Sequence, residues 1–194
     1  MPPRLACVSV RDQIISSALE LCAKRGITAT SLQDIADAAQ CSKANVLYHF
    51  SHKEDLIGKA LEPSLAATEE LVSKARARGL GTDYDRLVFV EELVDLLIKH
   101  GLATHLVITH PYLVDSIPPL AKAQELMASL ADVVETKTSS EADRLRFGIA
   151  VSGVTYSLVF ENLLNLPGTE QNSLKALLGD VLTSMVISSP TRDA

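Results

Sequence analysis

Apolar residues recur every three to four positions along most of the chain, which is the pattern of amphipathic α-helices. Near the start, this spacing predicts a helix over residues 9–25, with Cys22 on the buried stripe and Gly26 just past its end. Strict alternation of apolar and polar residues, the pattern of half-buried strands, is not found in the sequence. The sequence therefore predicts an all-α fold.

Three further helices are predicted before the glycine-rich break at residues 79–81. Their expected N-caps are, in chain order, Thr30 or Ser31, Ser42 and Ser51. The third of these helices opens with a capping box that ends at Glu54, and it keeps its apolar period beyond Pro63. We therefore expect Pro63 to kink this helix rather than end it. After the break, the spacing predicts helices over residues 84–100, 103–109, 118–137, 141–165 and 170–188.

The composition is that of a globular protein of one or two domains, since 47% of the 194 residues are hydrophobic and 22% are charged. No apolar run reaches the ~20 residues of a membrane-spanning helix, and the N-terminus has no export signal, so we expect a cytoplasmic protein without a membrane partner. Three widely spaced cysteines favour neither a disulfide framework nor a zinc site. No catalytic triad, phosphate-binding glycine loop or metal-spaced cluster is found, so we predict neither an enzyme nor a cofactor.

The net charge of −6 argues against a polyanionic partner until its distribution is considered. Residues 1–60 hold seven basic and six acidic side chains, whereas residues 61–194 hold eleven and eighteen. A nucleic acid would therefore have to bind the first segment, because the second would repel it.

Residues 31–50 combine two short helices with a tight connection at residues 39–42, which is the spacing of a DNA-binding helix-turn-helix. At ~100° per residue, the second helix places Val46, Leu47 and Phe50 on one side, where we expect them to be buried. The opposite side carries Ala44, Asn45, Tyr48 and His49. Because that side has no acidic residue, it suits contact with base edges and phosphates in the major groove.

The outward side chains suggest distinct contacts with DNA. Asn45 would pair with an adenine edge, and Ala44 would leave room for a thymine methyl group. Lys43, Tyr48, His49 and Lys53 would reach phosphates, as would backbone N–H groups at the two helix starts. The predicted DNA-binding set is Thr30, Ser31, Ser42, Lys43, Ala44, Asn45, Tyr48, His49 and Lys53. Each member alone is compatible with ordinary packing or capping, so the ordered set carries the prediction.

Two runs of sequence point to a known family. They are TSLQDIADAA at residues 30–39 and SKANVLYHFSHKEDL at residues 42–56. Over residues 9–57 the chain resembles the N-terminal domain of the tetracycline-repressor (TetR) family of bacterial regulators. The resemblance implies a helix-turn-helix DNA-binding domain at residues 1–58 and a helical-bundle domain for effector binding and dimerisation at residues 59–194. It also implies a homodimer that binds a pseudo-palindromic operator, usually as a repressor, and is released by a small-molecule effector.

Two positions depart from the family pattern. Gln40 stands in the turn where members usually have glycine, so the backbone there must avoid a left-handed conformation or tolerate strain. Leu47 stands where most members have a phosphate-contacting tyrosine, and Tyr48 follows it. We expect Leu47 to be buried and Tyr48 to be exposed, which would displace the phenol contact by one residue.

By the same resemblance, the last two long helices would form the dimer interface. Small residues at Gly148, Ala150, Ser152 and Gly153 and an apolar stripe at Leu174, Leu177, Leu178, Val181, Leu182 and Met185 are compatible with this role. The alternative is that these helices pack inside one protomer, but both would then expose much apolar surface.

An effector pocket is expected among the helices between residues 61 and 165. The predicted lining residues are Phe89, Leu93, His105, His110, Tyr112, Gln124, Met127, Tyr156 and Phe160. Glu161 is a further candidate, for a cationic ligand or an interface ion pair. The five-residue spacing of His100, His105 and His110 does not suit one helix face, so no metal site is predicted.

Two non-enzyme alternatives remain open at this level. The chain could be a small-molecule-binding bundle with a vestigial helix-turn-helix, or an adaptor that docks proteins on residues 31–50. The salt dependence of duplex binding separates both from a DNA-binding regulator.

Overall fold

The protein is described by a computed structural model over residues 9–134, 141–160 and 171–186. Every regular element in these ranges is helical, which confirms the all-α prediction. The helices are α1 Val10–Arg25, α2 Leu32–Ala38, α3 Lys43–His49, α4 Lys53–Arg78, α5 Asp83–Thr109, α6 Pro118–Val134, α7 Glu141–Val159 and α8 Gln171–Val186. A short 3-10 turn, Pro111–Leu113, joins α5 to α6. Among the described residues, no helix is both long and apolar enough to cross a bilayer.

Hydroxyl groups cap the first three helices. The Ser9 and Ser42 side chains accept the N–H groups of Asp12 and Asn45, each at 3.1 Å. At α2, Ser31 and Asp34 form a reciprocal capping box. Since α2 and α3 have seven residues each, they are too short to persist alone and depend on packing against each other and α1.

The start of α4 differs from the prediction. The expected capping box at residues 51–54 is wrong, because His52 is the N-cap and its Nδ1 accepts the N–H of Asp55 at 3.1 Å. The backbone is still extended at His52, so the helix begins one residue later than the sequence pattern suggests. The helix then continues through Pro63 to Arg78, as expected.

The two helices predicted at residues 84–100 and 103–109 form the single helix α5. His100, with φ −121° and ψ 19°, marks a kink where the sequence predicts a break. Beside the kink, the hydroxyl of Thr104 donates to the His100 carbonyl at 3.1 Å, and a Cβ atom at Gly101 would lie 3.8 Å from the Cβ atom of Leu158 in α7. The predicted helical residues 135–137, 161–165, 170 and 187–188, and with them Glu161, lie outside the described ranges.

The buried side chains form two clusters. The first includes Ile14, Ile35, Val46 and Phe50 together with the first three turns of α4, and it extends to Leu106 in α5 and to the start of α6. The second joins the later part of α4 and the first part of α5 to the end of α6 and to α7 and α8. The last turns of α5 therefore share a core with the helix-turn-helix, although they lie far away in sequence.

Gly58 allows α4 and α6 to approach closely. A Cβ atom at this position would lie 3.2 Å from the Cγ atom of Pro119, at the start of α6. Because this is tighter than normal van der Waals contact, a larger residue at position 58 would push the two helices apart. The first core thus holds α4 between the helix-turn-helix and α6.

Candidate nucleic-acid interface

The connection between α2 and α3 is a Schellman motif. The N–H of Cys41 bonds the Ala36 carbonyl at 2.9 Å, and the N–H of Gln40 bonds the Asp37 carbonyl at 3.1 Å. This geometry needs a left-handed residue, and Gln40 takes that conformation with φ +53°. A non-glycine residue here costs roughly 1–2 kcal/mol. The turn therefore keeps the shape that glycine would allow, with strain at Gln40.

The buried side of α3 is narrower than the sequence predicts. Val46 and Phe50 are buried in the first core, but Leu47 is 45% exposed, so the prediction that Leu47 is buried is wrong. Leu47 lies ~100° around the helix from Val46, and α1 and α2 cover only the side that Val46 and Phe50 share. Within α3 itself only Val46 is buried, and Phe50 follows as the C-cap residue.

The outward side of α3 is exposed and free of acidic groups. Tyr48 is 84% exposed, Lys43 and Ala44 are exposed beside it, and Asn45 and His49 are half-buried. The Tyr48 and His49 rings make an edge contact with centroids 5.1 Å apart. These side chains therefore form one surface, which Leu47 joins.

Thr30 does not belong to that surface. Its side chain is only 1% exposed, and its hydroxyl donates to the Gly26 carbonyl at 2.9 Å. A buried hydroxyl that already donates to the backbone cannot reach DNA, so the predicted side-chain contact of Thr30 is corrected.

Lys53 has a structural role that the sequence did not indicate. Its Nζ atom donates to the carbonyls of Ile27 and Thr30, both at 2.8 Å. The ammonium group therefore anchors the connection between α1 and α2. Because an ammonium group has three N–H bonds, one remains for a further acceptor.

Ser31 and Ser42 are exposed, but both hydroxyls cap helices. At α2, the Asp34 carboxylate accepts hydrogen bonds from Ser31, and these bonds lower the pKa of Asp34. A carboxylate that stays ionised beside the α2 N-terminus opposes a phosphate there. Ser42 has no acid within the first turn of α3, so it is the better placed of the two.

Three of the predicted effector residues come together between α5 and α7. The His105 ring lies 5.4 Å from Phe160 and 6.3 Å from Tyr156, measured between centroids, and the last two rings are 4.6 Å apart. His105 and Tyr156 border a groove of about 660 Å³ whose other walls include Ile108 and Ile149. Burial lowers the pKa of His105, which favours its neutral form beside this largely apolar groove.

The other predicted effector residues are not brought to this groove. Phe89 and Leu93 are fully buried in the second core, and Met127 packs against both cores. Tyr112 is exposed, and Gln124 lies at the surface where its Nε2 donates to the Pro111 carbonyl at 3.0 Å. Sequence spacing identified these side chains as inward or polar, but packing between helices decided which ones border open space.

His110 is also absent from the groove, although it is buried. Its Nε2 atom accepts the backbone N–H of Ile27 at 3.2 Å. The prediction that His110 lines an effector pocket is therefore corrected, because the ring is turned towards the connection between α1 and α2.

One face of α7 and α8 exposes apolar side chains. These are Leu145, Ile149, Tyr156, Leu177 and Val181. Gly148 and Gly153 lie among them, and a Cβ atom added at either would meet nothing within 4 Å. Leu178 and Leu182, which were predicted for the same stripe, are instead buried in the second core, and the side chain of Met185 lies outside the described ones.

Comparisons of sequence place this interface in a known context. The family model described as "Bacterial regulatory proteins, tetR family" matches residues 14–60. An HTH-type transcriptional regulator of Saccharopolyspora erythraea is 29% identical over 142 residues, which cover 73% of this chain and 56% of that protein. An HTH-type transcriptional repressor of Mycobacterium tuberculosis is 28% identical over 65% of this chain and 57% of that protein. The chain thus spans little more than half the length of these relatives.

Solved structures share the fold along nearly the whole chain. A TetR-family transcriptional regulator from Bordetella parapertussis superposes with a TM-score of 0.68 at 21% identity, covering 91% of this chain and 94% of that one. The ketosteroid transcriptional regulator KstR2 of Mycobacterium tuberculosis gives a TM-score of 0.63 at 15% identity, covering 93% and 94%. The family match covers the helices that build the candidate interface, and the fold agrees over the remainder. Residues 14–60 therefore match the model of the tetR family of bacterial regulatory proteins, and the chain shares its fold with solved regulators of that family.

Proposed function

We propose that the protein is a DNA-binding transcriptional regulator, most simply a repressor, which acts in the cytoplasm on a pseudo-palindromic operator. The observation that carries the proposal is the exposed, acid-free outward side of α3, in the segment that the family model matches. A helix with this surface fits the major groove, where backbone contacts position it and base-edge contacts specify the sequence. The proposal includes no catalytic activity.

The proposed contacts follow the side chains that α3 exposes. Asn45 reads an adenine edge, while Ala44 and Leu47 offer apolar contact to thymine methyl groups. Lys43, Tyr48 and His49 bind phosphates, and Ser42 and the free N–H of Lys53 add to them at the edge of the site. Ser31 would bind a phosphate only if the Asp34 carboxylate moved away from it.

The proposed assembly is a homodimer through α7 and α8. Exposed leucine, isoleucine and valine side chains on this face lose contact with water when a second copy covers it. Gly148 and Gly153 leave open space on this face and also line the groove between α5 and α7, so the partner copy would border the effector site. A twofold axis would then present two α3 helices to two half-sites about one helical turn apart.

The proposed effector is a small molecule bound between α5 and α7, near the His105, Tyr156 and Phe160 rings. Because α5 shares the first core with the helix-turn-helix, a shift of its last turns would change the separation of the two α3 helices. Operator affinity would fall by the coupling free energy, typically ~1–3 kcal/mol. In this proposal, residues 1–58 form the DNA-binding domain, and residues 59–194 form the domain for effector binding and dimerisation.

Selection of bound duplexes from a random pool tests the proposal. We expect a recovered palindrome with two half-sites, for which Asn45→Ala changes the preferred base while Lys74→Ala, on an exposed part of α4, leaves the preference unchanged. Recovery of no preferred duplex at low salt, with the purified chain folded and dimeric, would favour a small-molecule-binding bundle with a vestigial helix-turn-helix.

A further inference from the structure

The His110 imidazole bridges two parts of the chain that are far apart in sequence. It lies just after the last turn of α5 and is only 7% exposed. Its Nε2 atom accepts the backbone N–H of Ile27, which lies in the connection between α1 and α2, at 3.2 Å. The ring therefore joins the end of α5 to the segment that leads into the helix-turn-helix.

The hydrogen bonds around His110 are satisfied by one tautomer. The Thr109 hydroxyl is 2.7 Å from the His105 carbonyl, to which it donates, and 2.9 Å from Nδ1 of His110. Since the hydroxyl proton is used by the carbonyl, the Thr109 oxygen must accept a proton from Nδ1. The ring is then neutral, with Nδ1–H as donor and Nε2 as acceptor of the Ile27 N–H. Burial lowers the pKa of His110 and supports this neutral form.

The segment that His110 touches is also held from the other side. Lys53, the first residue of α4, donates to the carbonyls of Ile27 and Thr30. At Gly26, φ is +89°, and a Cβ atom would lie 3.5 Å from Nε2 of His110. The connection is thus held between the end of α5 and the start of α4, and α2 begins directly after it.

The other side of the same turn of α5 meets the groove. The His105 ring packs against Tyr156 and Phe160 of the α7 segment, while the His105 carbonyl accepts the hydroxyl of Thr109. A molecule that displaces His105 would therefore move Thr109 and His110 with it, because all three lie on one helical turn and a half.

We propose that His110 is a positioning residue that couples the α5–α7 groove to the helix-turn-helix by accepting the Ile27 N–H. When the last turns of α5 are in place, this hydrogen bond holds the α1–α2 connection, and with it α2 and α3, in the DNA-binding arrangement. The inference rests on the proposed function for its readout with DNA, but the hydrogen bond and the tautomer are testable without DNA.

The first test is local and uses NMR of the full-length protein. We expect ¹⁵N shifts of His110 that report the Nδ1–H tautomer and an Ile27 amide that is protected from exchange with solvent. His110→Leu removes the acceptor and should speed Ile27 exchange at least tenfold. His110→Gln should restore protection, since its side-chain oxygen lies near the position of Nε2 and accepts without titrating. An Nε2–H tautomer in the wild type, or unchanged Ile27 protection in His110→Leu, would overturn the proposal.

A second variant keeps the test valid if His110→Leu does not fold. Thr109→Val removes the acceptor for Nδ1–H with little change in volume. We expect it to shift the ring towards the Nε2–H tautomer and to expose the Ile27 amide to exchange. Retention of the Nδ1–H tautomer in Thr109→Val would contradict the assignment of the network.

The second test uses the duplex that the wild-type protein selects. His110→Leu should weaken duplex binding by roughly 5- to 150-fold, the range of a typical coupling free energy, while His110→Gln stays near wild type. Equal affinity of His110→Leu and wild type would overturn the coupling role. If the wild type selects no duplex, the proposed function fails, whereas the tautomer and the Ile27 exchange still decide the positioning role.

Discussion

The outward side of α3 and the exposed face of α7 and α8 differ in chemistry, although both remain uncovered in one copy of the chain. The α3 surface mixes an ammonium group, an amide, a phenol and an imidazole with small apolar groups. The α7–α8 face is dominated by leucine, isoleucine and valine. Water solvates the first readily and the second poorly, so the first fits a hydrated polyanion and the second fits another copy of itself. The difference shows which surface should assemble the protein and which should bind its partner.

The largest effect is expected where the two surfaces depend on each other. Ile149→Glu would place a charge in the proposed dimer interface without entering the core, because Ile149 is exposed. We expect monomers by analytical ultracentrifugation and a loss of duplex affinity of about 100-fold or more, since a charge buried without a partner is costly and a monomer holds one half-site. Leu87→Glu, at another exposed leucine on α5, is the matched control. A dimer that persists in Ile149→Glu would remove α7 from the interface.

The next effect concerns the α3 surface alone. Asn45→Ala should reduce discrimination at one base pair of each half-site by about 1–3 kcal/mol while the dimer and its fold are retained. Competition binding with operators changed at single positions measures this loss. If discrimination is the same in Asn45→Ala as in wild type at every position, Asn45 does not read a base.

A third effect concerns the two buried imidazoles at the end of α5. Burial lowers the pKa of His105 and of His110 below the usual 6.5, and the nearby His110 lowers the pKa of His105 further. The unfolded imidazoles bind protons near pH 6.5, but the folded ones do not, so their contribution to stability is complete above that pH. It should decrease as pH falls from 6.5 through the folded pKa values. Urea unfolding at pH 7.5 and 5.5 should show this decrease, and His110→Gln should reduce it.

A fourth effect is expected at the turn that supports α3. Gln40→Gly should relieve left-handed strain and increase the free energy of unfolding by about 1 kcal/mol. Gln33→Gly, at an exposed position inside α2, should instead decrease it by about 1 kcal/mol. Equal changes in the two variants, measured by urea unfolding, would show that the turn is not strained.

The smallest effect tests Leu47. Replacing single thymines of the selected operator by uracil removes one methyl group at a time. At a thymine that Leu47 contacts, we expect a loss of affinity of about 0.8 kcal/mol or less, the worth of one buried methylene group. Leu47→Ala should abolish that loss at the same thymine. Uracil sensitivity that is identical in both proteins would assign Leu47 no base contact.

Local features of this fold were predictable from sequence, whereas features decided by distant residues were not. The Ser31 and Ser42 caps, the end of α1 at Gly26 and the exposure of Tyr48 follow from residues within one helical turn. The anchoring bonds of Lys53 and the contact of His110 with Ile27 depend on residues 23 to 83 positions away. No periodicity encodes such contacts, since they arise only when α4 and α5 pack against the α1–α2 connection.

This distinction changes which lysine is the better probe of DNA contact. Lys53 anchors the α1–α2 connection, so its replacement would disturb the fold as well as any phosphate contact. Lys43 is exposed at the start of α3 and makes no such anchoring bond among the contacts described for the chain. Its replacement should therefore alter electrostatic binding alone.

The salt dependence of duplex binding tests the central claim most directly. For the wild type we expect log affinity to fall linearly with log salt concentration, with a slope near −0.9 for each phosphate neutralised. Lys43→Ala should make this slope shallower by about one such unit, while Lys74→Ala leaves it unchanged. A wild-type affinity that does not change with salt, or equal slopes in Lys43→Ala and Lys74→Ala, would contradict the binding of DNA by α3.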